Sequence, residues 1–149
     1  MKSRASLQII SSAVVFLAAS LAWAAPKTAP QNLPLFPGTL VNARFVYVTS
    51  YDGDQFNINL IPEDRQAIGT VQDAMQKWGK FTLVYEAQQA DIVLMVTSRP
   101  SEDVLAVYDA RGWPRNEYLW RMMGRSGLQK GEAPLITNLE KAFNQAATK

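Results

Sequence analysis

Residues 81–96, FTLVYEAQQADIVLMV, constrain the fold of this chain more than any other stretch. Two runs of Val, Ile, Leu and aromatic side chains, 81–85 and 92–96, flank a polar break at 86–91. Both runs are apolar at odd and even positions alike, so both faces of the strands they form must be covered. That is how strands in the middle of a sheet read, and it predicts a pair of central strands here.

The neighbouring segments supply what such a sheet needs. Residues 44–50 (RFVYVTS) are β-branched and aromatic and predict a first strand. Pro62, Glu63 and Asp64 then open a helix, with proline near its first position and acids where the helix dipole favours them. Ala67, Ile68, Val71, Ala74, Met75 and Trp78 form one apolar stripe, with Lys77 in the last turn and Gly79 as the stop. Strands follow at 81–86, 91–97, 103–109 and 118–123, the last two joined by the hairpin loop RGWPRNE. A closing helix over 133–146 carries Leu135, Ile136, Leu139, Ala142, Phe143 and Ala146 at the same offsets as the first helix stripe. Two single-stripe helices suit one face of a sheet and not the middle of a bundle. The expected fold is α/β (α+β-like): one two-layer domain, a five-stranded mixed sheet with two helices on one face, in the order β-α-β-β-β-β-α.

The amino end reads differently. Lys2 and Arg4 precede the apolar run 7–23, which closes in the small-residue pattern Ala22-Trp23-Ala24. These are the parts of a secretory signal peptide over residues 1–24; an uncleaved membrane anchor is the alternative. Cleavage removes two of the 15 basic residues and none of the 13 acidic ones, so the remainder is formally neutral. Basicity then gives no argument for a nucleic-acid partner. Residues 25–41 are expected to form a proline-rich tether containing Pro26, Pro30, Pro34 and Pro37. The α/β domain is expected over 42–147. The expected localisation is exported, periplasmic or secreted, with no membrane insertion after signal cleavage.

The chain contains no cysteine and no histidine. Disulfides, a lipidated cysteine, histidine general bases and histidine metal ligands are therefore excluded. Any catalysis would rest on carboxylates, Lys, Tyr, Ser or Thr. Asp103 and Asp109 lie on one strand face but near its opposite ends, roughly 20 Å apart at the usual rise, too far for paired acid–base work. No catalytic residue, metal site or cofactor is expected.

Two loops hold candidate binding residues. After the first strand, Asp52, Asp54 and Asn57 belong to a loop at the carboxyl end of a strand, where open α/β sheets place ligands. Asp52, Asp54 and Glu63 match three offsets of a calcium loop, but Phe56 and Asn57 occupy positions that need a ligand and a glycine. The plainer reading is a turn whose aspartate caps its own backbone. On the hairpin tip, Trp113 between Arg111 and Arg115 is the kind of anchor that protein interfaces use; a tryptophan folded back over the sheet is the alternative. Arg99, Arg111, Arg115, Arg121, Arg125 and Lys130 alternate with Glu102, Asp103, Asp109 and Glu117, which predicts an ion-paired surface and not an anion site.

WGKF before a strand, ADIVLMV opening the next, VLAVYDARG…YLWR as a hairpin and PLITNLEKAF as a closing helix together resemble a group of exported bacterial α/β domains. The pattern is similar to the amino-terminal domain of TolB and to LpoB-type and CsgG-type periplasmic domains, and more similar still to uncharacterised secreted proteins. The resemblance covers residues 42–147 and rests on core positions. It implies protein–protein contact in the cell envelope; this chain lacks the lipidation cysteine of the lipoprotein members and the propeller of TolB.

One last expectation concerns the side of the sheet away from the helices. Tyr47, Tyr85, Val93, Met95 and Tyr108 cannot all face two helices. Part of a second sheet face is left over, to be covered by residues 33–40 and by an envelope protein or a second copy of the chain.

Overall fold

The computed structural model describes residues 32–129, 131 and 133–149. The expected signal peptide (1–24), residues 25–31 of the expected tether, Lys130 and Glu132 lie outside the described residues. The elements are β1 (Phe45–Ser50), α1 (Pro62–Trp78), β2 (Thr82–Val84), β3 (Ile92–Ser98), β4 (Asp103–Asp109), β5 (Trp120–Gly124) and α2 (Pro134–Ala147). They form one five-stranded sheet in the order β2-β1-β3-β4-β5. β1 pairs parallel with β2 and β3, whereas β3–β4 and β4–β5 are antiparallel. The mixed sheet and the element order are those the sequence predicts.

Both helices pack on the same side. α1 buries Ala67, Ile68, Val71 and Met75, and α2 buries Leu135, Ile136, Leu139, Ala142 and Phe143, in one core with Val46, Val48, Ile92, Leu94, Val96, Leu105, Val107 and Trp120 of the sheet. α1 ends where Gly79 turns to φ 70° and donates its N–H to the Met75 carbonyl at 3.1 Å. Glycine reaches that left-handed conformation without a Cβ clash, so the stop is written in the residue type.

Two expectations fail. Residues 81–86 do not form a central strand: β2 is three residues long and borders the sheet. Its apolar neighbours serve other ends. Phe81 is buried beneath the helices, its ring 5.4 Å from those of Trp78 and Phe143. Tyr85 lies past the strand against Phe56, with ring centroids 6.2 Å apart. Alternate apolar residues thus mark a strand end feeding two clusters, which the pattern alone does not separate from a strand covered on both sides.

The second failure concerns residues 33–40. They do not cross the open face of the sheet; they close the helix side. Phe36 packs edge-on against Phe143 at 5.2 Å, Leu40 joins the core, and the Trp120 indole N–H donates to the Pro34 carbonyl at 3.0 Å. Phe143 thereby meets Phe36, Trp78 and Phe81, each within 5.4 Å. Edge-to-face pairs of this kind add about 0.5–1.5 kcal/mol each beyond the area they bury.

Candidate functional site

Alternation along the strands sends the remaining apolar side chains to the other face, and the register arranges them in rows. Val84, Tyr47, Val93 and Tyr108 are successive partners across β2, β1, β3 and β4. Thr49, Met95, Ala106 and Arg121 form the next row across β1, β3, β4 and β5. Thr97, Val104 and Met123 form a third. α1 and α2 both lie on the other face. Val93, Ala106 and Thr49 are buried within these rows. The Tyr108 hydroxyl reaches Met95 Sδ at 3.9 Å, and the Tyr47 hydroxyl donates to Asp54 Oδ2 at 2.9 Å, so both tyrosines bridge to their neighbours. Burial raises the pKa of both phenols; at Tyr47 the Asp54 carboxylate adds to the effect. The face still ends in a rim of large apolar side chains: Phe45 is 41% exposed, Tyr118 50%, Leu119 44% and Met123 45%.

The hairpin loop folds toward this face. Trp113 is half-buried, its ring edge-on to Tyr108 at 4.8 Å, and Tyr118 meets Tyr108 at 6.4 Å. Arg111 does not flank the indole as a free cation. It binds Asp109 through two side-chain hydrogen bonds of 3.1 and 3.0 Å, which holds the Asp109 carboxyl below the usual range. Arg115 is exposed. The three predicted residues therefore separate: Trp113 joins the aromatic group on the open face, while the arginines remain on the loop surface.

The loop after β1 is organised by its own backbone. Asp54 Oδ1 accepts the Phe56 N–H at 3.0 Å, the self-capped turn the sequence suggests. Asn57 donates its amide to the Asp52 carbonyl at 2.5 Å. The amide also packs over Gly53, where a Cβ would lie 2.9 Å from Asn57 Nδ2 and φ is +122°, so only glycine fits. Asp52 points instead to Arg99, at 3.7 Å. Asp52, Asp54 and Asn57 share a loop, but their side chains are engaged in three directions. Among the described residues no group of three acidic side chains is placed to hold a metal ion.

The sequence reading passed over a polar cluster at the same end of the sheet. Asp64, fully buried in the first turn of α1, accepts the Ser98 N–H at 2.7 Å and pairs with Arg99 at 2.8 Å through Oδ1; its Oδ2 is buried without a hydrogen-bond partner. Asp103 accepts the Ser98 hydroxyl at 2.7 Å and the Leu128 N–H at 2.9 Å. These contacts tie α1, the β3–β4 turn and the β5–α2 loop together. Ser98, Arg99, Asp103 and Glu63 line an open cleft of about 360 Å³. Both Asp103 oxygens are occupied, so the cleft has the chemistry of a structural clasp and not of a free acid–base pair. An acid in a helix's first turn reads as a dipole partner in sequence; only the approach of β3 shows that Asp64 is buried. Asp103 and Asp109 do occupy opposite ends of β4, as the strand rise predicts.

Among the described residues no helix is long and apolar enough to cross a membrane. No protein-family model, no curated protein and no solved structure matches the chain.

Proposed function

We propose that this chain is an exported, non-catalytic protein-interaction or envelope-assembly module whose open sheet face is its binding surface. One observation carries the reading. The helix side is closed by α1, α2 and residues 33–40, while Phe45, Tyr118, Leu119 and Met123 stay exposed around rows of apolar residues on the other side. A contiguous apolar patch with a polar border is what soluble domains keep for partners. The resemblance to periplasmic interaction domains agrees with this role, and an apolar run ending in Ala22-Trp23-Ala24 agrees with export.

The test is site-specific photo-crosslinking in the producing cell. A photoreactive side chain at position 123 should give protein adducts, and one at position 141, on the exposed side of α2, should not. Equal yields from the two positions, or none from position 123, would sink the proposal.

A further inference from the structure

Resting on the reading of this chain as an interaction module, we infer that its partner is an extended, acid-containing segment of another protein, which adds as a sixth strand along β5. The argument begins with hydrogen bonds that β5 does not make. Successive residues of an antiparallel strand turn their N–H and C=O groups to opposite sides. On β4 the even positions are spent on β3: the Ala110 N–H donates to the Asp91 carbonyl at 3.1 Å, in register with the pair Ile92 and Asp109. The odd positions face β5, as the 2.8 Å bond from the Leu119 N–H to the Val107 carbonyl shows. Trp120, Met122 and Gly124, the partners of Val107, Leu105 and Asp103, therefore turn their backbone groups to β4. Arg121 and Met123 turn theirs outward, where the sheet ends. Among the described residues nothing bonds to the N–H and C=O groups of these two residues. Both residues are exposed, so an incoming chain can reach them. An unpaired row of this kind is a template for a further strand. The opposite edge, β2, is only three residues long and offers a shorter one.

The side chains say which strand fits. Arg121 and Met123 share the open face with their register partners Ala106 and Val104. The Arg121 guanidinium lies over the Tyr118 ring at 5.7 Å and, among the described residues, has no ion-pair partner. An added strand sets one side chain beside each of the two, about 5 Å away on the same face. A carboxylate beside Arg121 completes an opposite-charge pair. An apolar residue two positions along covers Met123 and lengthens the row of Thr97, Val104 and Met123. The recognised segment is therefore extended, with an acid and an apolar residue at alternate positions. A second copy of β5 does not supply this: residues 118–124 (YLWRMMG) contain a base and no acid.

Amide exchange followed by NMR on the full chain tests the inference. In the free protein the Arg121 and Met123 amides should exchange faster than those of Met122 and Gly124. Titration to millimolar concentration with the end-blocked peptide TVTETVT should shift the signals of residues 120–124 and slow the Arg121 and Met123 amides severalfold. The peptide TVTKTVT should bind about threefold more weakly, and Arg121→Glu should reverse that order. Met123→Pro removes one outward N–H while sparing the ladder, and should abolish the slowing; Met123→Val keeps the N–H and should keep it. Thermal melts verify that each variant folds, and if M123P does not, the reversal in R121E decides. No shift with either peptide, or an order of binding unchanged in R121E, overturns the inference. Shifts at Tyr47, Val93 and Tyr108 without slower exchange at Arg121 and Met123 also overturn the added strand, because the ligand would then lie on the open face. Self-association of the chain alone, lost in M123P, would make the occupant a second copy and overturn the acid-containing segment. In each of these cases adducts with other proteins from position 123 in the cell leave the interaction reading standing, and their absence ends both.

Discussion

The two faces of the sheet begin from similar alternating sequence and reach different ends. Val46, Val48, Ile92, Leu94 and Leu105 disappear beneath two helices and the segment around Phe36. Val84, Tyr47, Val93 and Tyr108, one residue out of step, lie on the face away from both helices. Their cover comes from nearby side chains: Tyr47 reaches Asp54 of the following loop, and Tyr108 meets Met95, Trp113 and Tyr118. The comparison teaches that apolar content along a strand counts the residues needing cover without saying who supplies it. A face covered by helices is a matter of stability; a face covered by its own tyrosines and one loop tryptophan is open to partners.

Truncations measure that difference. Phe143→Ala removes the ring shared by Phe36, Trp78 and Phe81 and should cost about 3–5 kcal/mol, read as a large fall in the urea midpoint. A small loss would mean that the helix side is less tightly closed than the aromatic cluster implies. Asp64→Ala comes next, at about 2–3 kcal/mol. It leaves the Ser98 N–H and the partly exposed Arg99 without their shared acceptor. Calorimetric unfolding of D64A beside R99A checks it: if the pair acts as one clasp, the double variant loses less than the sum of the two.

Asp91 gives a pH test at the amino end of β1. Its carboxylate accepts the Arg44 and Phe45 N–H groups at 2.7 and 3.0 Å, and these bonds lower its pKa. A carboxyl depressed in the folded state adds stability above its unfolded pKa, and that stability is lost as pH falls through the folded value. Asp91→Asn should therefore lower the melting temperature at neutral pH, and the gap from the parent should close on acidification below the carboxylate range. A gap that persists in strong acid would mean that the charge is not what stabilises the β1 entry.

The smallest effect on stability belongs to the open face. Met123→Ser should shift unfolding by only about 0.5 kcal/mol, read in the urea midpoint, because the side chain is nearly half exposed. If M123S unfolded as easily as F143A, the contrast between the two faces would collapse.

Much of this architecture was legible in the chain. The stripe from Ala67 to Trp78, the proline at its start and the glycine at its end made α1, because local spacing and backbone preference act over single turns. The same holds for α2 and, within two residues, for β1, β3, β4 and β5. β2 misled because Phe81 and Tyr85 are apolar for the sake of clusters beyond the strand. The segment around Phe36 misled because apolar residues beside prolines do not say which side of a sheet they will reach. Of the candidate binding residues, the self-capped turn at Asp54 was readable, since an Asx turn is local. The Asp64–Arg99 pair joins residues 35 apart and left no local sign.

The sequence by itself determined which segments form helices and strands, and that histidine and cysteine chemistry are excluded. Tertiary structure alone decided that residues 33–40 close the helix side, that β2 borders the sheet, and that Asp64 meets Arg99. The reason is physical: periodicity acts through neighbouring peptide units, whereas coverage and charge alignment depend on strand order and register, which bring distant residues together only when the sheet forms.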